Sequence, residues 1–313
     1  MLTFGSGNLY GINTAANSTP RKLGNLQDVA FDISYTLKEL RGQGQFAVDL
    51  RRGSGKITGK AKFATINGAI LNDLFFAQTA TTGLLQSAFS EAWTIPASPF
   101  MVTAANANTF DTDLGVIYTA TGLPLTKVAS APATGQYAMT AAVQGATCSY
   151  ATNVMTCTVA PTTGVFAVGQ TITAAGVAAG TTITTLGTGT GGTGTYNLST
   201  SPGTIAAEAT TAGTAYLFAA ADVGLGVLLD YLYTAATGGT KIAMSNQLMG
   251  VTPTFMGIFS ANVGGKIATL KLNACTANKL SVATKLEDYT IPEFDFDAMC
   301  DASGNIGTFS VAA

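Results

Sequence analysis

The chain has 313 residues, 47% of them hydrophobic and only 10% charged, where an ordinary globular domain carries about 25% charged residues. Fifteen Lys and Arg against 17 Asp and Glu give a formal net charge of -2, which excludes the basic excess that avid nucleic-acid binding requires. Histidine is absent, so histidine-based triads, the commonest general base and the usual zinc ligand sets are excluded as well.

Residues 1–24, rich in Gly, Asn, Ser and Thr and without periodicity, read as an arm or loop. They lack the basic and apolar regions of a secretory signal, so the expectation is an unsecreted chain made in a cytoplasm. "DVAFDISYTLKEL" then alternates strictly. Val29, Phe31, Ile33, Tyr35 and Leu37 fall on one face, with Asp28, Asp32, Ser34, Thr36 and Lys38 on the other, the pattern of a half-buried antiparallel strand. "QFAVDLRRG" repeats it with Phe46, Val48 and Leu50, and "GKITGKAKFAT" sets Lys56, Lys60 and Lys62 against Ile57, Gly59, Ala61 and Phe63. In "TINGAILNDLFFAQ" the period changes: Ile66, Ile70, Leu74 and Gln78, widened by Leu71 and Phe75, predict an amphipathic helix of about three turns. Strands return at 89–95, 100–102 and 115–119.

From residue 128 to 207 there is no charged residue at all. Short β-branched runs separated by Gly or Pro, about every 8–12 residues, predict a small sandwich or barrel there. The flanks "GQYAMTA" (135–141) and "GTAYLFAAA" (213–221) both read as strands. Residues 142–212 are therefore expected as a module placed in a hairpin turn, where loop-closure entropy makes insertion cheap. Cys148 and Cys157 flank a turn predicted at Asn153 and can face each other across a hairpin; in a reducing cytoplasm they are expected as free thiols. The most apolar run, Ala215 to Asp230, is broken by Asp222 and two glycines and falls short of the roughly 20 residues of a spanning helix. Strand-like runs continue to the C-terminus, so the chain outside the module is a sheet framework with one helix. Such low charge without a membrane span points to a subunit whose surface is covered by neighbours.

Three motifs tempt a catalytic or ligand-binding reading. "GTGTGG" (187–192) matches GxGxxG, but no helical pattern follows to meet a pyrophosphate. "GSGKIT" (53–58) resembles the end of a phosphate loop, yet Leu50 stands where that loop needs glycine. Glu287, Asp288, Glu293, Asp295, Asp297 and Asp301 cluster in "LEDYTIPEFDFDAMCD", and alternation with Phe294 and Phe296 makes a strand with one acidic face, not a catalytic carboxylate pair. No enzymatic activity, cofactor or metal is expected.

The order and wording of segments, "LYGINTAANSTPRKLGNLQDVAFDISYTLKELRGQGQFAVDLRRGSGKITGKAKFATINGAILNDLFF" and later "LLDYLYTA", "NQLMGVTPTFMGIFSA" and "KLEDYTIPEFDFDAMCDASGNIG", resemble the tail tube (major tail) proteins of long-tailed bacteriophages over roughly residues 1–141 and 213–313. The resemblance implies a mainly β fold, a β-sandwich or half-barrel with one helix. Residues 25–141 and 213–313 would form it as one discontinuous domain, carrying 142–212 as a small all-β insert, immunoglobulin-like or similar. It also implies a virion subunit assembled in the host cytoplasm into stacked rings, commonly hexamers. Their lumen conducts DNA and the tape-measure protein without specific binding, and tail terminator and tail-tip or baseplate proteins cap the ends. Family lumens tend to be acidic. The candidate lumen-facing acids are Asp28, Asp32 and Asp49, or the face around Glu293, Asp295 and Asp297, while Lys56, Lys60 and Lys62 are expected outward or against a neighbour's acids. Alternatives are the inner tube of a contractile tail and a receptor-binding or adhesive virion fibre.

Overall fold

The computed structural model describes residues 7–14, 18–65, 67–263, 266–284, 286 and 289–312. The fold is mainly β, with several sheets including a half-barrel and one helical segment. The chain divides into two compact units, residues 1–82 with 239–313, and residues 83–238.

In the first unit an eight-stranded antiparallel sheet runs in the order Arg21–Leu23, Asn8–Asn13, Phe255–Val263, Lys266–Ser281, Glu293–Met299, Ala47–Phe63, Leu26–Arg41, with Gly307–Val311 also paired to Lys266–Ser281. Strand register explains its two faces. Val29, Ala61, Phe294 and Leu280 lie in one cross-strand row and Phe31, Gly59, Phe296 and Ala277 in the next. These rows face a core of Phe63, Leu74, Phe255, Leu272, Phe294 and Phe296. Gly59 is required here, because a Cβ at this position would collide with the Phe296 ring.

Two sequence expectations are corrected in this unit. Residues 8–13 and 21–23, expected within an arm, are sheet strands that bury Leu9 and Leu23 in the core; their weak periodicity reflects brevity, since each buries only one or two side chains. Residues 1–6 and 15–17 lie outside the described segments. The helix is shorter than its stripe predicts. An α-turn at Gly68–Leu71, capped by the Asn67 side chain on the Ala69 amide, passes into a π-turn at Asn72–Phe76. The Ala77 amide then bonds the Asn72 carbonyl at 2.6 Å, and the Asn72 side chain pairs with both backbone groups of Gln78, closing the helix. Ile70 and Leu74 are nonetheless buried as the stripe requires, while Ile66 lies outside the described residues.

The second unit holds three sheets. Ala80–Thr94, whose first residues lie across the unit boundary, Gly226–Ile242 and Phe110–Tyr118 make one; Met101–Thr103, Ala215–Phe218, Gln136–Thr140 and Thr126–Lys127 make another. The third has six strands in the order Ile172–Thr173, Ile205–Ala212, Val143–Ala151, Val154–Val159, Gly194–Leu198, Ile183–Leu186. It has its own core, including Tyr150, Met155, Phe166, Ile183 and Tyr196. Cys148 and Cys157 are opposite partners in its central hairpin and are joined by a disulfide, which corrects the expectation of free thiols for a cytoplasmic chain.

Candidate functional site

Among the described residues no three His, Cys, Asp or Glu side chains converge as a metal site, and no helix is long and apolar enough to cross a membrane. "GSGKIT" lies inside the strand Ala47–Phe63. "GTGTGG" is the connection between Ile183–Leu186 and Gly194–Leu198. There the Tyr196 hydroxyl accepts from the Gly191 amide and donates to the Gly192 carbonyl, so the turn is clamped to the core. Burial pushes the Cys275 thiol up to about 12, removing its nucleophilic form. A carboxylate that the sequence did not single out, that of Asp113, has a largely buried side chain and accepts from the Tyr137 hydroxyl at 2.7 Å, the Tyr216 hydroxyl at 3.2 Å and Lys127 Nζ at 2.8 Å. Burial first, and then this neighbouring carboxylate, raise both tyrosine pKa values.

Two surface features of the first unit remain, and both follow from strand pairing. The first is the sheet face opposite the core. Cross-strand rows place Asp28, Lys62 and Glu293 together, then Lys60, Asp295 and Lys279, then Asp32, Thr58 and Asp297. Five of the six candidate acids are thus brought to one face. Asp49 is not among them: it sits near the tip of the first long hairpin, paired with Arg51 at 2.8 Å. Glu287 and Asp288 lie outside the described residues, and Asp301 folds back on its own loop by accepting from the Ser303 and Asn305 amides.

The lysines, expected outward or against a neighbour's acids, occupy this same face and pair with acids of their own chain. Lys60 Nζ lies 2.6 Å from Glu293 Oε1, Lys279 Nζ 3.5 Å from the same oxygen, and Lys56 Nζ 3.3 Å from Asp297 Oδ1. Asn278 donates to Asp297 Oδ2 at 3.0 Å. The hydrogen bond to Lys60 is the largest cause of the lowered Glu293 pKa, and the same bond raises Lys60. Four lysines therefore nearly balance five carboxylates, and the face is a lattice of both signs, not an acidic wall. Sequence alone missed this because residues 56–62 and 293–297 meet only through long-range pairing; the period-two spacing shared by both runs was the available signal.

The second feature is the outer half of the hairpin formed by Leu26–Arg41 and Ala47–Phe63. Glu293–Met299 pairs with Ala47–Phe63 only from Ile57 to Lys62. Beyond it, among the described residues, the hairpin continues as a two-stranded ribbon. Its apolar alternation persists where no core lies beneath: Leu37 is 65% exposed, Phe46 87% and Val48 74%, and Leu40, opposite Asp49 on the other face, is exposed as well. Ile33, Tyr35 and Leu50 are exposed as well, so the predicted apolar face is buried only near Val29 and Phe31. Among the described residues the strand Leu26–Arg41 also ends the sheet order.

Comparison with known proteins identifies no matching family model and no similar curated protein.

Proposed function

We propose that the chain is a structural subunit that polymerises with copies of itself into a tube, the tail tube of a long-tailed bacteriophage, whose lumen conducts DNA. The observation that carries this reading is the ribbon of exposed Ile33, Leu37, Leu40, Phe46, Val48 and Leu50. A two-stranded ribbon is marginal in water by itself, and a projecting apolar strand pair aggregates unless another surface covers it. Each such side chain contributes roughly 1.5–3 kcal/mol on full burial. Six of them are of the same order as the roughly 4–15 kcal/mol that association costs. A contact between a ribbon and a different surface of the next copy is heterologous, the geometry that generates rings and open filaments.

The two-signed face suits a conduit. Its lysines have carboxylates of the same chain beside them, which reduces their availability to a passing phosphate backbone, and the slight acidic excess opposes DNA adhesion. The test is sedimentation velocity of the wild-type chain beside Phe46→Asp/Leu50→Asp. Both positions are exposed in the subunit, so folding stability should change by no more than about 0.5 kcal/mol. The wild type should run as large polymers and the variant as a folded monomer or single ring. Equal polymerisation of the two would remove the ribbon from the interface.

A further inference from the structure

We infer that the second unit carries a binding cleft for a neutral saccharide, centred on Trp93. This residue is the only tryptophan in the chain. It is 40% exposed, and it borders two adjoining clefts of about 350 Å³ and 280 Å³ that share Trp93, Thr103 and Thr171. They lie side by side against the indole, each lined by residues of 93–108 and of the 142–212 module, and together are called the groove.

The groove is held in shape. Trp93 Nε1 donates to Glu91 Oε1 at 2.6 Å, and the same oxygen accepts from the Ala105 amide at 2.9 Å. The other Glu91 oxygen accepts from the buried Tyr231 hydroxyl, whose oxygen in turn accepts from the Asn106 amide at 3.2 Å. The indole and the loop after Thr103 are therefore fixed to one carboxylate. Between the two clefts the Thr103 and Thr171 hydroxyls are hydrogen-bonded to each other at 3.1 Å, which ties the module to the strand Met101–Thr103. The neighbouring Gln170 side chain is buried and donates to Thr140 Oγ1, the Ala141 carbonyl and the Gly213 carbonyl, which fastens the module to both strands it interrupts.

The lining chemistry selects the ligand class. Neither cleft is lined by an ionisable side chain, so an anionic or cationic ligand finds no counter-charge. What the groove offers is one apolar aromatic surface flanked by neutral donors and acceptors: the hydroxyls of Thr103, Thr171, Thr173 and Thr182 and the Asn108 amide. A pyranose ring has the complementary character, with an apolar C–H face to lie on the indole and peripheral hydroxyls to exchange hydrogen bonds. A proline-rich peptide would instead call for several aromatic side chains along the groove. The groove belongs to one chain, so the inference is independent of whether the chain forms tubes.

Because Trp93 is the sole tryptophan beside ten tyrosines, tryptophan emission excited at the red edge, where tyrosine does not absorb, reports on this groove alone. The full chain is titrated with maltoheptaose, cellohexaose and chitohexaose, with polygalacturonate and decaproline as contrasts. The expected result is a saturable emission change and reduced acrylamide quenching with at least one neutral oligosaccharide, at a Kd of about 1 mM or tighter. In Asn108→Ala/Thr173→Val, both exposed positions, binding should weaken at least about tenfold with the unfolding transition unmoved. The inference is overturned if no neutral oligosaccharide gives a saturable change by about 10 mM. A stronger response to polygalacturonate or decaproline, or unaltered binding in the double variant, overturns it equally.

Discussion

Gly59 and Lys60 are neighbours on one strand yet serve opposite faces of the sheet, Lys60 pairing with Glu293 of the adjacent strand. Gly59 is buried against the Phe296 ring, so Gly59→Val forces a side chain into filled space and should destabilise the fold by about 1–3 kcal/mol in chemical denaturation. The neighbouring ion pair is solvated and acts through pH. Glu293 titrates below its ordinary 4.5 in the folded chain, so its contribution is present above 4.5 and is lost as pH falls through the folded value. Lys60 titrates above its ordinary 10.5, so its contribution is present below 10.5 and is lost as pH rises through the folded value. The difference in Tm between the wild type and Glu293→Gln should be flat from about pH 5 to pH 10 and shrink toward both extremes. About 1 M salt should diminish it as well. A difference that grows in acid would show that Glu293 is not held ionised by this pair.

At the scale of elements, the 142–212 module sits between two strands that already pair with each other, Thr140 lying opposite Ala215. Joining Ala141 to Gly213 leaves a three-residue connection of ordinary hairpin length. The deletion should keep the remaining chain folded, with the melting transition of the rest preserved and polymerisation retained; loss of either would make the module structural. How much of this was legible differs from element to element. The strand runs and the flanks of the module follow from period-two patterning and from the uncharged window between Lys127 and Glu208. The short strands 8–13 and 21–23 did not, because each buries too few side chains to write a period. The helix was visible as an apolar stripe, but its early end depends on Asn72 bonding Gln78, which no stripe encodes. The candidate acids were legible as strand faces, and their lysine partners were not. A row such as Lys60, Asp295 and Lys279 joins three distant segments whose register only the folded sheet defines.

For the whole molecule, the outer hairpin is where local pattern and burial disagree: the alternation of residues 29–50 asks for a covered face, and the subunit supplies no cover beyond Phe31. Lys38, Glu39, Arg41, Asp49, Arg51 and Arg52 hydrate the ribbon, yet its apolar side chains have no cover among the described residues, and the proposed cover is another copy. Negative-stain electron microscopy of the purified full chain tests this most directly. The account predicts long hollow tubes about 10 nm wide, the order expected for rings of domains of this size. A field of dispersed monomers or closed trimers at concentrations where the protein is fully folded would contradict it.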